Sequence, residues 1–95
     1  MMTKQRNMRF NANYSMRRLG GEAVLIPVSG MMNLRRMYSL NRSAALLWER
    51  FADEEFTSEN ISSVLSDTYG ITTSEADTDT EKFIREFSEL GLIAL

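Results

Sequence analysis

Residues 36–51 read RMYSLNRSAALLWERF and contain the point at which the chain changes from strand to helix. Residues 37–40 alternate as an extended strand does and are rich in types that favour β-structure. Asn41 is a good helix N-cap, because its side-chain oxygen can accept a hydrogen bond from a free backbone N–H of the first turn. Apolar residues then recur at helical spacing, at Ala44, Leu47, Trp48 and Phe51. The spacing predicts strands before residue 41 and helices after it.

The residues before this junction predict three strands. The first is expected over residues 16–19, and Gly20 and Gly21 after it indicate a two-residue hairpin turn, because both positions tolerate positive φ. Residues 22–28, EAVLIPV, are almost continuously apolar, so they are predicted to form the central, most buried strand. A third strand is expected over residues 34–40.

Two further helices are predicted after the first. Thr57 or Ser58 is expected to cap the second helix, which ends before Gly70. The third helix is longer, and Ser74 with Asp77 resembles a capping box at its start. The inner face of the third helix is expected to carry Ala76, Thr80, Phe83, Ile84, Phe87 and Leu90.

The order of these elements predicts an α+β domain of winged-helix-like architecture, with a three-stranded antiparallel sheet followed by three helices. Residues 14–95 are expected to form this single domain, because a chain of 95 residues leaves no room for two. Residues 1–13 are interpreted as a flexible N-terminal tail.

The composition excludes most enzyme chemistry. The chain has no cysteine and no histidine, which removes thiol nucleophiles, disulfides, the usual zinc ligands and an imidazole base. Its carboxylates lie at helix starts and turns without the spacing of a calcium loop. Ser39 and Ser43 have no base to activate them. No catalytic residue, metal site or cofactor is therefore expected, and a non-catalytic binding module remains.

No segment is predicted to enter a membrane. The longest apolar run that contains Pro27, residues 23–28, has six residues, whereas a membrane-spanning helix needs roughly 18–20. The N-terminal sequence MMTKQRNMRF is polar and basic, unlike a secretory signal with its apolar centre. A cytoplasmic protein without a membrane partner is expected.

Charge is divided unequally along the chain. Residues 1–42 carry eight basic residues and one acidic residue, for a net charge of +7, whereas residues 43–95 carry three basic and twelve acidic residues, for −9. These charges either solvate the outer surface or attract a charged partner. A winged-helix shape suggests DNA, but the third helix, which would enter the major groove, carries mostly acidic residues. Phosphates repel such a face, so no nucleic-acid partner is expected.

The run YSLNRSAALLWE at residues 38–49 resembles the strand-to-helix junction of the pyrroloquinoline quinone biosynthesis protein D (PqqD) family. Members typically show a Leu-Asn pair, small residues and a Trp at this point. The end of the chain is similar to that family too, at Asp79, Phe83, Ile84, Phe87, Gly91, Leu92 and Ile93. The resemblance covers about residues 16–93. The chain departs from the family's pattern in residues 29–36 and at Thr80, which replaces an apolar residue.

This resemblance implies a peptide chaperone, also called a RiPP recognition element. Such a domain binds the leader of a ribosomally made precursor peptide as an extra strand, beside the third strand and against the third helix. It then presents the peptide to a modifying enzyme, often a radical S-adenosylmethionine enzyme. The residues suit this mechanism independently, because an open strand edge offers unpaired N–H and C=O groups to an extended peptide. The candidate peptide-binding residues are Leu34, Arg35, Arg36, Met37, Tyr38, Ser39, Asp79, Lys82, Phe83 and Glu86.

Three functions therefore compete. The first is capture of a leader peptide for a radical S-adenosylmethionine maturase, with Arg35 and Arg36 meeting an acidic leader. The second is a winged-helix DNA-binding regulator. The third is a structural dimerisation domain, in which the same strand edge pairs with a second copy to give a homodimer. We adopt the first as the prediction.

Overall fold

The computed structural model describes residues 7–28 and 37–94. These residues form an α+β domain in which a three-stranded antiparallel sheet is followed by three helices, as the sequence predicts. A second, two-stranded sheet joins the two ends of the chain. The elements are β1 (Arg9–Phe10), β2 (Tyr14–Leu19), β3 (Glu22–Pro27), β4 (Tyr38–Leu40), α1 (Arg42–Phe51), α2 (Ser58–Tyr69), α3 (Thr73–Glu89) and β5 (Ile93–Ala94).

The larger sheet has the strand order β2-β3-β4, so β3 is central as its apolar sequence predicts. β2 begins two residues earlier than expected, at Tyr14, and pairs with β3 as far as the Leu19↔Glu22 position. The tight turn between these two strands needs a positive φ at one position, and the φ of Gly20 is 65°. β4 covers Tyr38–Leu40, and residues 34–36 of the predicted third strand lie outside the described residues.

Each helix begins at a side-chain cap. Asn41 accepts a hydrogen bond from the Ala44 backbone N–H at 2.8 Å, which confirms the predicted cap of α1. Thr57 caps α2 in a reciprocal capping box, which confirms the first of the two predicted candidates. For α3 the predicted Ser74 cap is wrong, because the helix begins two residues earlier, at a capping box formed by Thr72.

The end of α3 also differs in part from the expectation. Leu90 was predicted to face the core, but it is the C-cap residue and is 47% exposed. The chain reverses at Gly91, where φ is 76°, so the next two residues turn inward instead. Leu92 and Ile93 are buried and supply the apolar contacts that Leu90 does not make.

The two-stranded sheet ties the N-terminal segment to the end of the chain. β1 pairs antiparallel with β5, with Phe10 opposite Ile93. The Asn11 backbone N–H donates to the Leu92 carbonyl at 2.9 Å, and the Asn11 side-chain amide donates to the Gly91 carbonyl at 3.0 Å. Residues 1–13, interpreted from sequence as a flexible tail, therefore contain a strand. A two-residue strand is too short to show the alternation by which strands are recognised.

An aromatic cluster forms the centre of the core, and the Phe10 ring contacts four of its other rings. The Phe10 ring stacks on Trp48 with 4.3 Å between centroids and lies 4.7 Å from the Phe56 ring. It also meets Phe83 and Phe87 of α3, at 6.1 Å and 6.4 Å. Trp48 is buried, as its place on the apolar face of α1 predicts. Phe10 thus joins β1, α1 and α3 in one core.

Candidate functional site

The candidate site begins at the edge of the larger sheet. One side of β4 pairs with β3, through the positions Ala23↔Leu40, Val24↔Ser39 and Leu25↔Tyr38. Among the described residues, no strand pairs with the other side of β4. An edge strand of this kind leaves a row of main-chain N–H and C=O groups without strand partners.

The side chains of β4 divide between the two faces of the sheet. Tyr38 lies opposite Leu25, which is fully buried, so the alternation of a strand places Tyr38 on the core face and Ser39 on the outer face. Tyr38 is half-buried and packs against the core, whereas Ser39 is exposed. Met37, immediately before the strand, is half-buried. Tyr38 and Leu40 are therefore the β4 side chains that contribute apolar surface beside the core.

The structure adds Tyr14 to this region, a residue that the sequence argument did not select. The Tyr14 and Tyr38 rings lie 5.8 Å apart between centroids, across the central strand. Tyr14 is half-buried and packs against the same core. The sequence around Tyr14 does not predict its contact with Tyr38. The two residues lie on β2 and β4, which do not pair with each other and come together only in the folded sheet.

The helical period places the predicted residues of α3 roughly on the opposite side of that helix from Asp77, which accepts a hydrogen bond from Ser62 of α2. Spacings of three and four residues place Asp79, Lys82, Phe83 and Glu86 along one side. Phe83 is half-buried, packs against the core and lies 4.2 Å from the Phe87 ring, whereas the three charged side chains are exposed. Phe83 is thus the apolar member of this set and the charged residues border it.

The structure connects the two halves of the predicted site through the core. Tyr38 and Phe83 both pack against the buried cluster that contains Phe10. Within residues 7–28 and 37–94, no hydrogen bond or ion pair links β4 directly to Asp79, Lys82 or Glu86. Leu34, Arg35 and Arg36 lie outside the described residues.

Asp79, Lys82 and Glu86 of α3 form no ion pair with another residue in ranges 7–28 and 37–94. The two ion pairs in the described parts of the chain are Arg9 with Glu55 at 3.8 Å and Arg18 with Glu49 at 2.7 Å. Both pairs are exposed, so each contributes little to stability. No set of three or more acidic side chains in those same parts is arranged to hold a metal ion. Within the described parts of the chain, the charged side chains beside Phe83 thus form no ion pair with one another or with other residues.

Together these features define a class: a small α+β domain with an edge strand that no other described strand covers, and an amphipathic helix packed on the same aromatic core. The chain belongs to the coenzyme PQQ synthesis protein D (PqqD) family, which matches residues 23–93. This match confirms the resemblance seen in the sequence, and members of the family are accessory binding proteins. No curated protein and no solved structure matches the chain.

The family match runs from the second residue of β3 to the first residue of β5, and β1 and β2 lie before it. The matched part thus contains both halves of the candidate site, whereas Phe10 and Tyr14 lie outside it. None of the helices in the described parts is long and apolar enough to cross a membrane.

Proposed function

We propose that this chain captures an extended segment of the leader of a ribosomally made precursor peptide and presents it to a modifying enzyme of the radical S-adenosylmethionine type. The leader adds as a strand to the free side of β4 and lies against the side of α3 that carries Phe83. The single observation that carries this proposal is that, in a chain of the PqqD family, one side of β4 pairs with no strand among the residues that the structure describes. We expect this complex to form in the cytoplasm, where precursor peptides are synthesised.

Main-chain hydrogen bonds give such a peptide its orientation but not all of its affinity. Each contributes about 0.5–1.5 kcal/mol net, and alternate residues of β4 direct their N–H and C=O groups outward. A dissociation constant of 1 μM requires about −8 kcal/mol. Side-chain contacts must supply the difference, and the half-buried rings of Tyr38 and Phe83 offer the apolar surface for them.

The charges around this surface favour a peptide of mixed charge. Asp79, Lys82 and Glu86 on α3 are exposed and sum to a net charge of −1. Arg35 and Arg36 carry +2 in the segment just before β4. We expect an acidic leader residue to meet these arginines, and a basic leader residue to lie beside the carboxylates of α3.

Calorimetry with the precursor peptide encoded beside this chain tests the proposal. The double variant Arg35→Glu and Arg36→Glu is expected to bind the peptide at least about tenfold more weakly. The loss of one charge-assisted hydrogen bond has an effect of this size. The control is the double variant Arg17→Glu and Arg50→Glu, which makes the same change of charge on β2 and α1, and it should bind as the wild type does. Equal affinity of the three proteins would show that the basic segment is not the contact surface.

Backbone NMR tests whether the peptide binds at β4 and α3. On addition of the peptide, the largest shifts are expected in residues 37–40 and 79–86. If the shifts avoid both β4 and α3, the proposal that the peptide binds between these two elements fails altogether. If instead the free protein is a dimer and the peptide leaves it unchanged, the open edge is used by a second copy of the chain.

A further inference from the structure

The outer face of the larger sheet, opposite its core face, carries apolar side chains. Leu25 of β3 is fully buried in the core that the three helices share, so strand alternation places Val24 and Ile26 on the outer face. Both are half-buried, yet neither packs against the buried core. Leu19 of β2, which pairs with Glu22, lies on the same face and is 56% exposed. The outer face therefore has an apolar centre that does not belong to the core.

The sequence of β3 gives a second indication about this face. Residues 22–28, EAVLIPV, are almost continuously apolar, a pattern typical of strands that are buried on both faces. A strand with one face in water would instead alternate apolar and polar residues. Burial of Leu25 in the core explains one face of β3 and leaves the apolar residues of its other face without a role in the core. The pattern therefore favours a strand whose outer face is also covered.

Two opposite charges border the apolar centre. Arg17 of β2 lies opposite Val24, and Glu22 begins β3, so both are on the outer face. Both side chains are exposed, and neither forms an ion pair within residues 7–28 and 37–94. By contrast, the neighbouring Arg18 lies on the core face and pairs with Glu49 of α1 at 2.7 Å. The three strands thus place one cation and one anion on the outer face.

Such a face is complementary to a copy of itself. In a two-fold symmetric dimer the same patch lies on both sides of the interface, so each contact between two different residues occurs twice. Arg17 of each copy can then reach Glu22 of the other, which gives two equivalent ion pairs around the apolar centre. Two sheets pack in this way about 10 Å apart, with the side chains between them interdigitated. A face with charges of one sign only would repel its copy.

We propose that two copies of this chain pack together through the outer faces of their three-stranded sheets. The strands have at most six residues, so the sheet measures roughly 20 Å by 15 Å. An interface of this size lies at the low end for specific complexes, and a weak dimer that depends on protein concentration is expected. The contact uses the face of the sheet and leaves the free side of β4 open, so the proposal is independent of leader binding at that edge.

Sedimentation velocity of the full chain over a series of concentrations tests the proposal. The wild type is expected to pass from a monomer of 10.9 kDa toward twice that mass as its concentration rises. The double variant Val24→Thr and Ile26→Thr keeps β-branched side chains but makes the centre polar, and it should associate at least about tenfold more weakly. A wild type that stays monomeric up to millimolar concentration, or a double variant that associates as the wild type does, would overturn the proposal.

A charge reversal on each face of β2 identifies the surface that the dimer uses. Arg17→Glu is expected to weaken association at least about tenfold, because it removes both ion pairs and brings carboxylates together in their place. The matched control Arg18→Glu makes the same change one residue along, on the core face, and should associate as the wild type does. Equal association of the two variants would overturn the proposal, since the copies would then meet at another surface, such as the free side of β4.

A mixture of two variants tests the contact between copies directly. Glu22→Arg alone should associate as weakly as Arg17→Glu, because it brings two guanidinium groups together at each contact. An equimolar mixture of the two variants should form a mixed dimer about as readily as the wild type dimerises, since each contact again joins a carboxylate to a guanidinium group. A folding defect in either variant cannot produce this recovery. A mixture that associates no better than its components would overturn the proposal.

Discussion

The substitution Phe10→Ala tests whether the N-terminal strand is part of the core. The Phe10 side chain is 4% exposed and meets four other aromatic rings, two of them at centroid distances below 5 Å. Truncation of a buried Phe to Ala costs about 3–5 kcal/mol. Aromatic pairing adds about 0.5–1.5 kcal/mol per well-oriented pair, which places the expected loss toward the upper end of that range. Domains of this size are stable by about 5–15 kcal/mol in total.

Urea unfolding followed by circular dichroism measures this loss, and the midpoint should fall with little change in the m-value. The matched control is Leu19→Ala, which truncates an apolar side chain that is 56% exposed on β2 and should change the free energy of unfolding by less than about 0.5 kcal/mol. A loss below about 1 kcal/mol for Phe10→Ala would refute the packing, because it would mean that β1 does not contribute its ring to the core. A strand that merely covers the surface would produce that result.

Three further predictions concern α1, the buried hydroxyl of Thr80 and nucleic acid. Trp48→Ala should destabilise the fold by about 3–5 kcal/mol, because Trp48 is only 3% exposed and its ring stacks on Phe10. An unchanged urea midpoint would contradict this. Thr80→Val should raise the free energy of unfolding by about 1 kcal/mol, because it replaces with a methyl group a buried hydroxyl that has no hydrogen-bond partner among the described residues. A lower urea midpoint would show that the hydroxyl is paired. Duplex DNA should not bind at physiological ionic strength, because α3 is acidic, and micromolar binding with a steep salt dependence in a gel-shift titration would reverse this conclusion.

Sequence alone determined the features that depend on neighbours along the chain. The Asn41 and Thr57 caps were predicted because each bond joins a side chain to a backbone group three residues away. The start of α3 was misplaced because two similar patterns overlap, Thr72 with Glu75 and Ser74 with Asp77. Only the first forms a full box, in which the Glu75 carboxylate reaches back to the Thr72 N–H at 3.1 Å. The side chain of Asp is one methylene shorter and is weaker at that position.

The family and the matched elements of the candidate site could also be predicted from sequence. The order of the apolar residues in α1 and α3 led to the PqqD family, and the continuous apolar run of β3 led to its central position. The predicted α3 residues do lie on one side of the helix, because a 3.6-residue period fixes which residues share a side. Phe83 accordingly contacts the core while its charged neighbours do not.

Only the tertiary structure decided the pairings between residues distant in the chain. The pairing of Phe10 with Ile93 and the stacking of Phe10 on Trp48 join segments that no local pattern relates. The same holds for Tyr14 beside Tyr38 and for the buried hydroxyl of Thr80 between two helices. Local propensity and periodicity set which elements form and which face of each is apolar. Which element covers each apolar face depends on how all the apolar faces pack together in one close-packed core. A pattern along the chain does not contain that information.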